Sequence, residues 1–183
     1  MYFREATARD LIDIQCANIK CLPENYHLKF FFYHYLSWPS LIQVQVDFAG
    51  KITGYVLAKM DDFEEDQMKR IDRHERGKGL DRNESSAMPI HNGRESLGHI
   101  VSLAVYPGYR KLGVAAELML LVERNMRALY KTGYISLQVR RSNTAALALY
   151  TKKLGFWILG VDSGYYGNGE DALEMIKRLP GGK

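Results

Sequence analysis

The run Gly98-His99-Ile100-Val101-Ser102-Leu103-Ala104-Val105 constrains this chain most, because it passes directly into a glycine-bearing loop and then into a helical stripe. Its β-branched and apolar residues predict an extended strand. Beyond the loop, Ala115, Leu118, Met119, Val122, Met126 and Leu129 recur at helical spacing, and Gly133 stands where a helix would end. A strand feeding an amphipathic helix is a building unit of α/β architecture.

The flanking segments extend the same reading. Met1 to Ala6 predicts an opening strand. Thr7 is a plausible N-cap, Asp10 completes an imperfect capping box, and Leu11, Ile14, Ala17, Asn18 and Cys21 follow at helical spacing. Pro23 disfavours helical geometry at Leu22, so Leu22-Pro23-Glu24-Asn25-Tyr26 reads as an ordered loop. The next segment, His27 to Pro39, reads as a short helix with aromatic side chains around most of its circumference. One domain covers only one side of such a helix, so a second surface is expected against the other. Ile42, Val44, Val46 and Phe48 alternate with polar residues, Ala49-Gly50-Lys51 can turn, and Ile52 to Met60 resumes an extended pattern, which predicts a β-hairpin. Later, Ile135, Leu137 and Val139 predict a strand, Asn143 to Leu154 a helix closed by Gly155, and Phe156 to Val161 and Ala172 to Arg178 two more strands. This order implies a single α/β domain over residues 1–179, built around a mixed sheet, with 180–183 as a tail.

Residues 61–96 interrupt the pattern. They hold seven of the 25 Lys and Arg and ten of the 21 Asp and Glu, and few large apolar residues, which predicts a flexible or weakly helical insertion. The remainder carries 18 basic against 11 acidic side chains, a balance of +7 that favours an anionic partner: a nucleotide-bearing cofactor, an acidic peptide or RNA. Charge alone does not choose among them. No apolar run is long enough to span a bilayer, and the first residues lack a charged-then-apolar leader, so a cytoplasmic location is expected, with the nucleus as a second one. Cys16 and Cys21 are expected to be reduced, buried thiols. The five histidines show no metal-ligand spacing, so no metal is expected.

Arg110-x-x-Gly113-x-Ala115 lies between the central strand and its helix, where backbone N–H groups lack intrahelical partners and the helix dipole is positive. Such a junction suits phosphate, with Gly113 and Ala115 keeping bulk away and Arg110 and Lys111 adding charge. An ordinary strand-to-helix connection explains these residues equally well by themselves. The loop is neither a Walker sequence nor a dinucleotide Gly-x-Gly-x-x-Gly.

This loop, together with Ser142-Asn143-x-x-Ala146-x-x-Leu149-Tyr150 and Leu154-Gly155-Phe156 further along, resembles the GNAT acyl-CoA N-acyltransferases. Within that superfamily the chain is similar to the catalytic subunits of NatA-type N-terminal acetyltransferases. The likeness rests on Cys21-Leu22-Pro23-Glu24-Asn25-Tyr26, Leu36-Ser37-Trp38-Pro39, Gly54 to Met60, Val139 to Asn143 and Tyr165-Tyr166-x-x-Gly169-Glu170-Asp171-Ala172, and covers nearly everything outside 61–96.

The resemblance implies a GNAT fold, with a mixed, mostly antiparallel central sheet flanked by helices, and acetyl transfer from acetyl-CoA to the α-amine of nascent proteins. Small first residues such as Ser, Ala, Thr or Gly, exposed after methionine removal, are the implied substrates, with acidic N-termini as the alternative for the chain alone. The implied cofactor contacts are Leu103, Ala104 and Val105 at the strand end, Arg110, Lys111, Leu112, Gly113, Val114 and Ala115 in the loop, and Asn143 and Tyr150. Glu24 would orient or deprotonate the amine, and Tyr150 would hydrogen-bond the departing thiolate. Leu22, Pro23, Tyr26, Arg140, Tyr165 and Tyr166 would line the peptide channel. Where related sequences often have histidine, this chain has Gln138, which cannot act as a base. The implied partner is a large helical-repeat auxiliary subunit, through which the ribosome would be reached; direct DNA binding and membrane association are not expected. Because such subunits often carry a polar tail, a chain ending at Pro180-Gly181-Gly182-Lys183 is expected to be truncated.

Overall fold

The computed structural model describes residues 1–77, 90–91 and 94–179. They divide into two compact units, one comprising Met1–Lys59 with Ile100–Leu129 and the other Met60–His99 with Tyr130–Lys183. The tail at 180–183 and part of the charged segment lie outside the described residues.

In the first unit, β1 (Tyr2–Glu5), β2 (Ile42–Val46) and β3 (Ile52–Asp62) form an antiparallel meander, and β5 (Arg94–Val105) lies beside β3. A single helical turn, Ala8–Asp10, leads into α1 (Leu11–Cys21), and α2 (Leu28–Ser37) and α4 (Val114–Tyr130) complete the helices. The entry to α1 is set by Asp10, whose carboxylate accepts the Thr7 N–H at 2.7 Å and pairs with Arg4 at 2.6 Å. That pairing holds the Asp10 carboxyl down at about 2, chiefly through the Arg4 hydrogen bond. Leu11, Ile14 and Ala17 pack with Phe31 of α2 against Ile42, Val44 and Val46, so the alternation read in the sequence is the alternation of the sheet. Cys16 lies off this apolar stripe and is exposed, and Cys21 is half-buried, so the expectation of buried thiols fails at Cys16.

The aromatic helix α2 is covered on one side. Phe31 and His34 are buried, whereas Phe32, Tyr33 and Leu36 remain exposed, Leu36 at 78 %.

In the second unit the strand order is β5, β6 (Tyr134–Arg140), β8 (Ala172–Arg178), β7 (Trp157–Asp162), with β4 (Ile90–His91) paired to β5. β8 pairs antiparallel with both neighbours. The hairpin strand β3 runs two residues past its expected end at Met60, and β5 begins four residues before the expected Gly98.

Within the charged segment, residues 65–77 form α3 (Glu65–Gly77). Ile71 is fully buried with Leu97, Tyr134 and Ile176, and Phe63, Met68 and Trp157 pack around them. Arg70 pairs with Glu174 at 2.7 Å, and the Tyr134 hydroxyl donates to buried Glu75 at 2.6 Å. The His74 ring stacks on Trp157 at 5.0 Å.

Candidate active site

The loop Leu22–Tyr26 leaves α1 because Leu22 takes an extended conformation ahead of Pro23. Its shape is held from below by Asn18, which is fully buried and uses both ends of its amide. Nδ2 donates to the Glu24 carbonyl at 3.0 Å, and Oδ1 accepts the Tyr26 N–H at 3.1 Å. Gln15 adds a bond to the Tyr26 carbonyl, and Asn25 bridges to the Pro23 carbonyl. The Tyr26 ring stacks on Phe30 at 4.2 Å, and Leu22 packs against the core. Glu24 and Leu22 are half-buried, while Pro23 is exposed.

In the same unit, the strand end Leu103-Ala104-Val105 turns at Tyr106, whose N–H still reaches the Thr53 carbonyl of β3. Arg110 folds back so that its Nε–H donates to the Val105 carbonyl at 3.0 Å, and the Tyr109 hydroxyl donates to Asp47 at 3.0 Å. Arg110 therefore does more than supply charge: it closes the loop onto the strand. Lys111 and Gly113 both adopt left-handed backbone geometry, φ 64° and 85°. At Gly113 open space surrounds the position a Cβ would occupy. The first helical bond of α4 runs from the Glu117 N–H to the Gly113 carbonyl, so the N–H groups of Val114, Ala115 and Ala116 precede the helical ladder. Leu112 is exposed, and Val114 is buried against β3.

The second unit brings another group together. Arg140, the last residue of β6, donates to Glu170 at 2.6 Å and to Asn168 at 3.1 Å, with its guanidinium 3.9 Å above the Tyr166 ring. Tyr165 meets Tyr166 edge-on at 5.1 Å and is more than half exposed. The Asn143 side chain accepts the Ala146 N–H at 3.1 Å and so caps α5 (Thr144–Ala148). The expected single helix from Asn143 to Leu154 is thus a short α-helix followed by a π turn, Leu149–Lys153, which contains Tyr150. The Tyr150 ring is buried against Phe156, and burial pushes its hydroxyl up to about 12. Gln138 lies 3.5 Å from Asp162.

A family model described as the acetyltransferase (GNAT) family matches residues 11–156. This chain belongs to the GNAT acetyltransferase family. It is 43 % identical over 178 residues to the N-terminal acetyltransferase A complex catalytic subunit NAA10 of Arabidopsis thaliana, covering 97 % of this chain and 78 % of that one. It is 42 % identical over 179 residues to the N-alpha-acetyltransferase daf-31 of Caenorhabditis elegans, covering 98 % and 83 %. Among solved structures, Chaetomium thermophilum Naa20 in complex with a bisubstrate analogue aligns with a TM-score of 0.75 at 26 % identity, covering 98 % of this chain and 87 % of that one.

For a GNAT acetyltransferase, the junction from Val105 to Ala116 fits the pyrophosphate of acetyl-CoA. Consecutive N–H groups sit at a helix start, two left-handed residues turn them, and space is open at Gly113. Among the described residues, no group of three or more His, Cys, Asp or Glu could hold a metal ion.

Two features of these side-chain groups escaped sequence reasoning. Asn18 was legible only as part of a helical stripe, because nothing local shows that its amide grips a loop six residues on. Glu170 stands inside the Tyr165 to Ala172 motif with no sign of its role, since its partners Arg140 and Ser142 are 30 and 28 residues away.

Proposed function

We propose that this GNAT acetyltransferase acts as a NatA-type catalytic subunit, transferring acetyl from acetyl-CoA to the α-amine of proteins that begin with small residues. The observation that carries this reading is the 43 % identity along 97 % of the chain to a protein named as an N-terminal acetyltransferase A catalytic subunit. The built loop at Leu22–Tyr26 supports it, because Asn18 fixes the backbone on both sides of Asn25 and so the point from which the Glu24 side chain leaves the chain.

An α-amine has a solution pKa of about 8, so roughly a tenth is already neutral at pH 7 and positioning carries most of the task. Acetyl-CoA supplies an acetyl thioester. Glu24 orients the attacking amine and receives its proton, directly or through water. The backbone N–H at the end of the Leu103–Val105 strand stabilises the oxyanion formed as the C–N bond is made. Tyr150, protonated at neutral pH as an ordinary tyrosine is and kept so by burial, donates a hydrogen bond to the sulfur as the C–S bond breaks. Tyr26, Arg140, Tyr165 and Tyr166 hold the peptide, with Leu22 and Pro23 shaping its channel. No histidine base is required, which agrees with glutamine at position 138.

The auxiliary subunit of such a complex would cover the outer side of α2, where Phe32, Tyr33 and Leu36 are exposed, together with Ile12 and Ile19 of α1. Ribosome contact would then come through that partner. The test uses the purified chain, alone and with the partner, acetyl-CoA, and two peptides: one with a free Ser or Ala N-terminus, one N-terminally blocked but bearing lysine. Acetylation of the free N-terminus supports the proposal. Preferential acetylation of the blocked peptide replaces it with a lysine or small-amine acetyltransferase, and acetyl-CoA binding without turnover replaces it with a non-catalytic subunit.

A further inference from the structure

The segment between β7 and β8 is a built loop. The Tyr166 N–H reaches the Glu170 carbonyl at 3.1 Å, the Gly169 N–H returns to the Tyr166 carbonyl at 2.7 Å, and Gly169 takes a left-handed φ of 81°. Asp171 closes its base, accepting the Gly164 N–H on its carboxylate and the Arg141 N–H on its carbonyl. From this frame Glu170 sends its carboxylate to two places. Oε2 accepts Arg140 Nη1 at 2.6 Å, and Oε1 accepts the Ser142 backbone N–H at 3.0 Å. Arg140 in turn lies over the Tyr166 ring, and Ser142 immediately precedes Asn143.

These bonds serve position more than stability. Arg140 and Glu170 are each about a fifth exposed, and ion pairs open to water contribute little to folding. Yet the pair uses both carboxylate oxygens, a stacked guanidinium and a backbone N–H, an expensive arrangement for a surface contact. The Ser142 and Arg140 bonds hold the Glu170 carboxyl down at about 2, so it is ionised throughout the working range.

We propose that Glu170 is a positioning residue for both substrates of the acetyl transfer. Its Arg140 bond sets the acceptor-peptide contacts Arg140 and Tyr166, and its Ser142 bond sets the turn that presents Asn143 to acetyl-CoA. The proposal rests on the acceptor and donor roles given above to those residues. It assigns Glu170 no contact with either substrate.

The two bonds make separable demands on kinetics. E170A in the full chain is expected to raise the peptide KM about tenfold, the order that follows from losing one charged hydrogen bond, and the acetyl-CoA KM about threefold. R140A raises the peptide KM alone. In E170A/R140A the peptide KM stays within about twofold of R140A, because Glu170 acts on the peptide through Arg140, while the acetyl-CoA KM rise persists. E170Q, which keeps one acceptor, falls between wild type and E170A and carries the same test if E170A does not fold. Unchanged KM values in E170A, peptide KM effects that multiply in the double variant, or a lowered melting temperature with both KM values intact would each overturn the proposal. If wild-type chain acetylates no peptide, the function proposed above fails instead; calorimetric acetyl-CoA affinity then still reads the Ser142 bond, with weaker binding by E170A supporting that half and equal binding refuting it.

Discussion

Replacing Gly54 by alanine tests how tightly the strand end and helix start of the proposed acetyl-CoA junction are packed. Gly54 lies in β3 opposite Gln45, and a Cβ added there would sit 3.1 Å from the Ala104 carbonyl oxygen, 3.1 Å from a Val114 methyl and 3.2 Å from a Val105 methyl. Ordinary contact begins at 3.4 Å, so all three neighbours must retreat by a few tenths of an ångström. The methyl groups can turn; the carbonyl belongs to the backbone of β5. Overpacking of this kind costs about 1–3 kcal/mol. Removing a glycine from the unfolded chain returns about 0.4–1 kcal/mol. The net loss is about 0.5–2 kcal/mol, or roughly 2–7 °C in melting temperature for a chain of this size. Val105 and Val114 bound the acetyl-CoA junction, and small misplacements weigh heavily on catalysis, so the acetyl-CoA KM should rise about three- to tenfold while the peptide KM moves less. Differential scanning calorimetry and steady-state kinetics with each substrate varied in turn measure both effects. An unchanged or raised melting temperature with an unaltered acetyl-CoA KM would refute the close packing of β3 on this junction.

Three further outcomes are expected. Ile71→Ala should cost about 2–4 kcal/mol, because Ile71 is fully buried between Leu97, Tyr134 and Ile176, and thermal melts should show it; a loss under about 0.5 kcal/mol would mean that α3 does not pack as described. Tyr150→Phe keeps the ring against Phe156 but removes the proton donor, so kcat should fall about ten- to a hundredfold with both KM values nearly unchanged in stopped-time acetylation assays. The Asp10 carboxyl has a folded pKa near 2, below its unfolded value of about 3.9, so its contribution to stability is complete above the unfolded value and disappears as the pH falls through about 2. Urea unfolding from pH 5 to pH 2 should therefore show an acid-dependent loss that is smaller in Asp10→Asn, and that in Arg4→Ala is also smaller and is complete at a higher pH, because the folded carboxyl then titrates closer to its unfolded value.

Much of this architecture was legible because its apolar residues repeat at the period of the element that buries them. Ile42, Val44 and Val46 show the period of a strand, Leu11, Ile14 and Ala17 that of a helix, and the structure places both sets in one core. The Arg110 to Ala115 loop was legible as a strand-to-helix junction, while its reading as a cofactor loop came from the GNAT resemblance, since an ordinary connection explains those residues equally well. α3 was legible only as the weakly helical alternative, because its anchors are few and mostly polar. Arg70, Glu75 and Gln67 find partners on Glu174, Tyr134 and Arg178, about 60 to 110 residues away, and no local pattern encodes such pairings. The same distance hid Glu170 and the grip of Asn18. The exposed thiol of Cys16 follows from the helical spacing, since position 16 falls outside the stripe of Leu11, Ile14, Ala17 and Asn18, and the expectation of burial rested on residue type alone.

The π turn at Leu149–Lys153 carries one more residue than regular helix would hold, so that the Leu154 N–H returns to the Leu149 carbonyl. Deleting Thr151 would let that turn relax into ordinary helix, with better bonds along its length. The deletion takes out only that extra residue, so the flanking chain keeps its place and the shift falls on Tyr150, inside the turn, whose ring packs on Phe156. Under the proposed mechanism, in which the Tyr150 hydroxyl meets the sulfur, this irregularity would be the device that aims it.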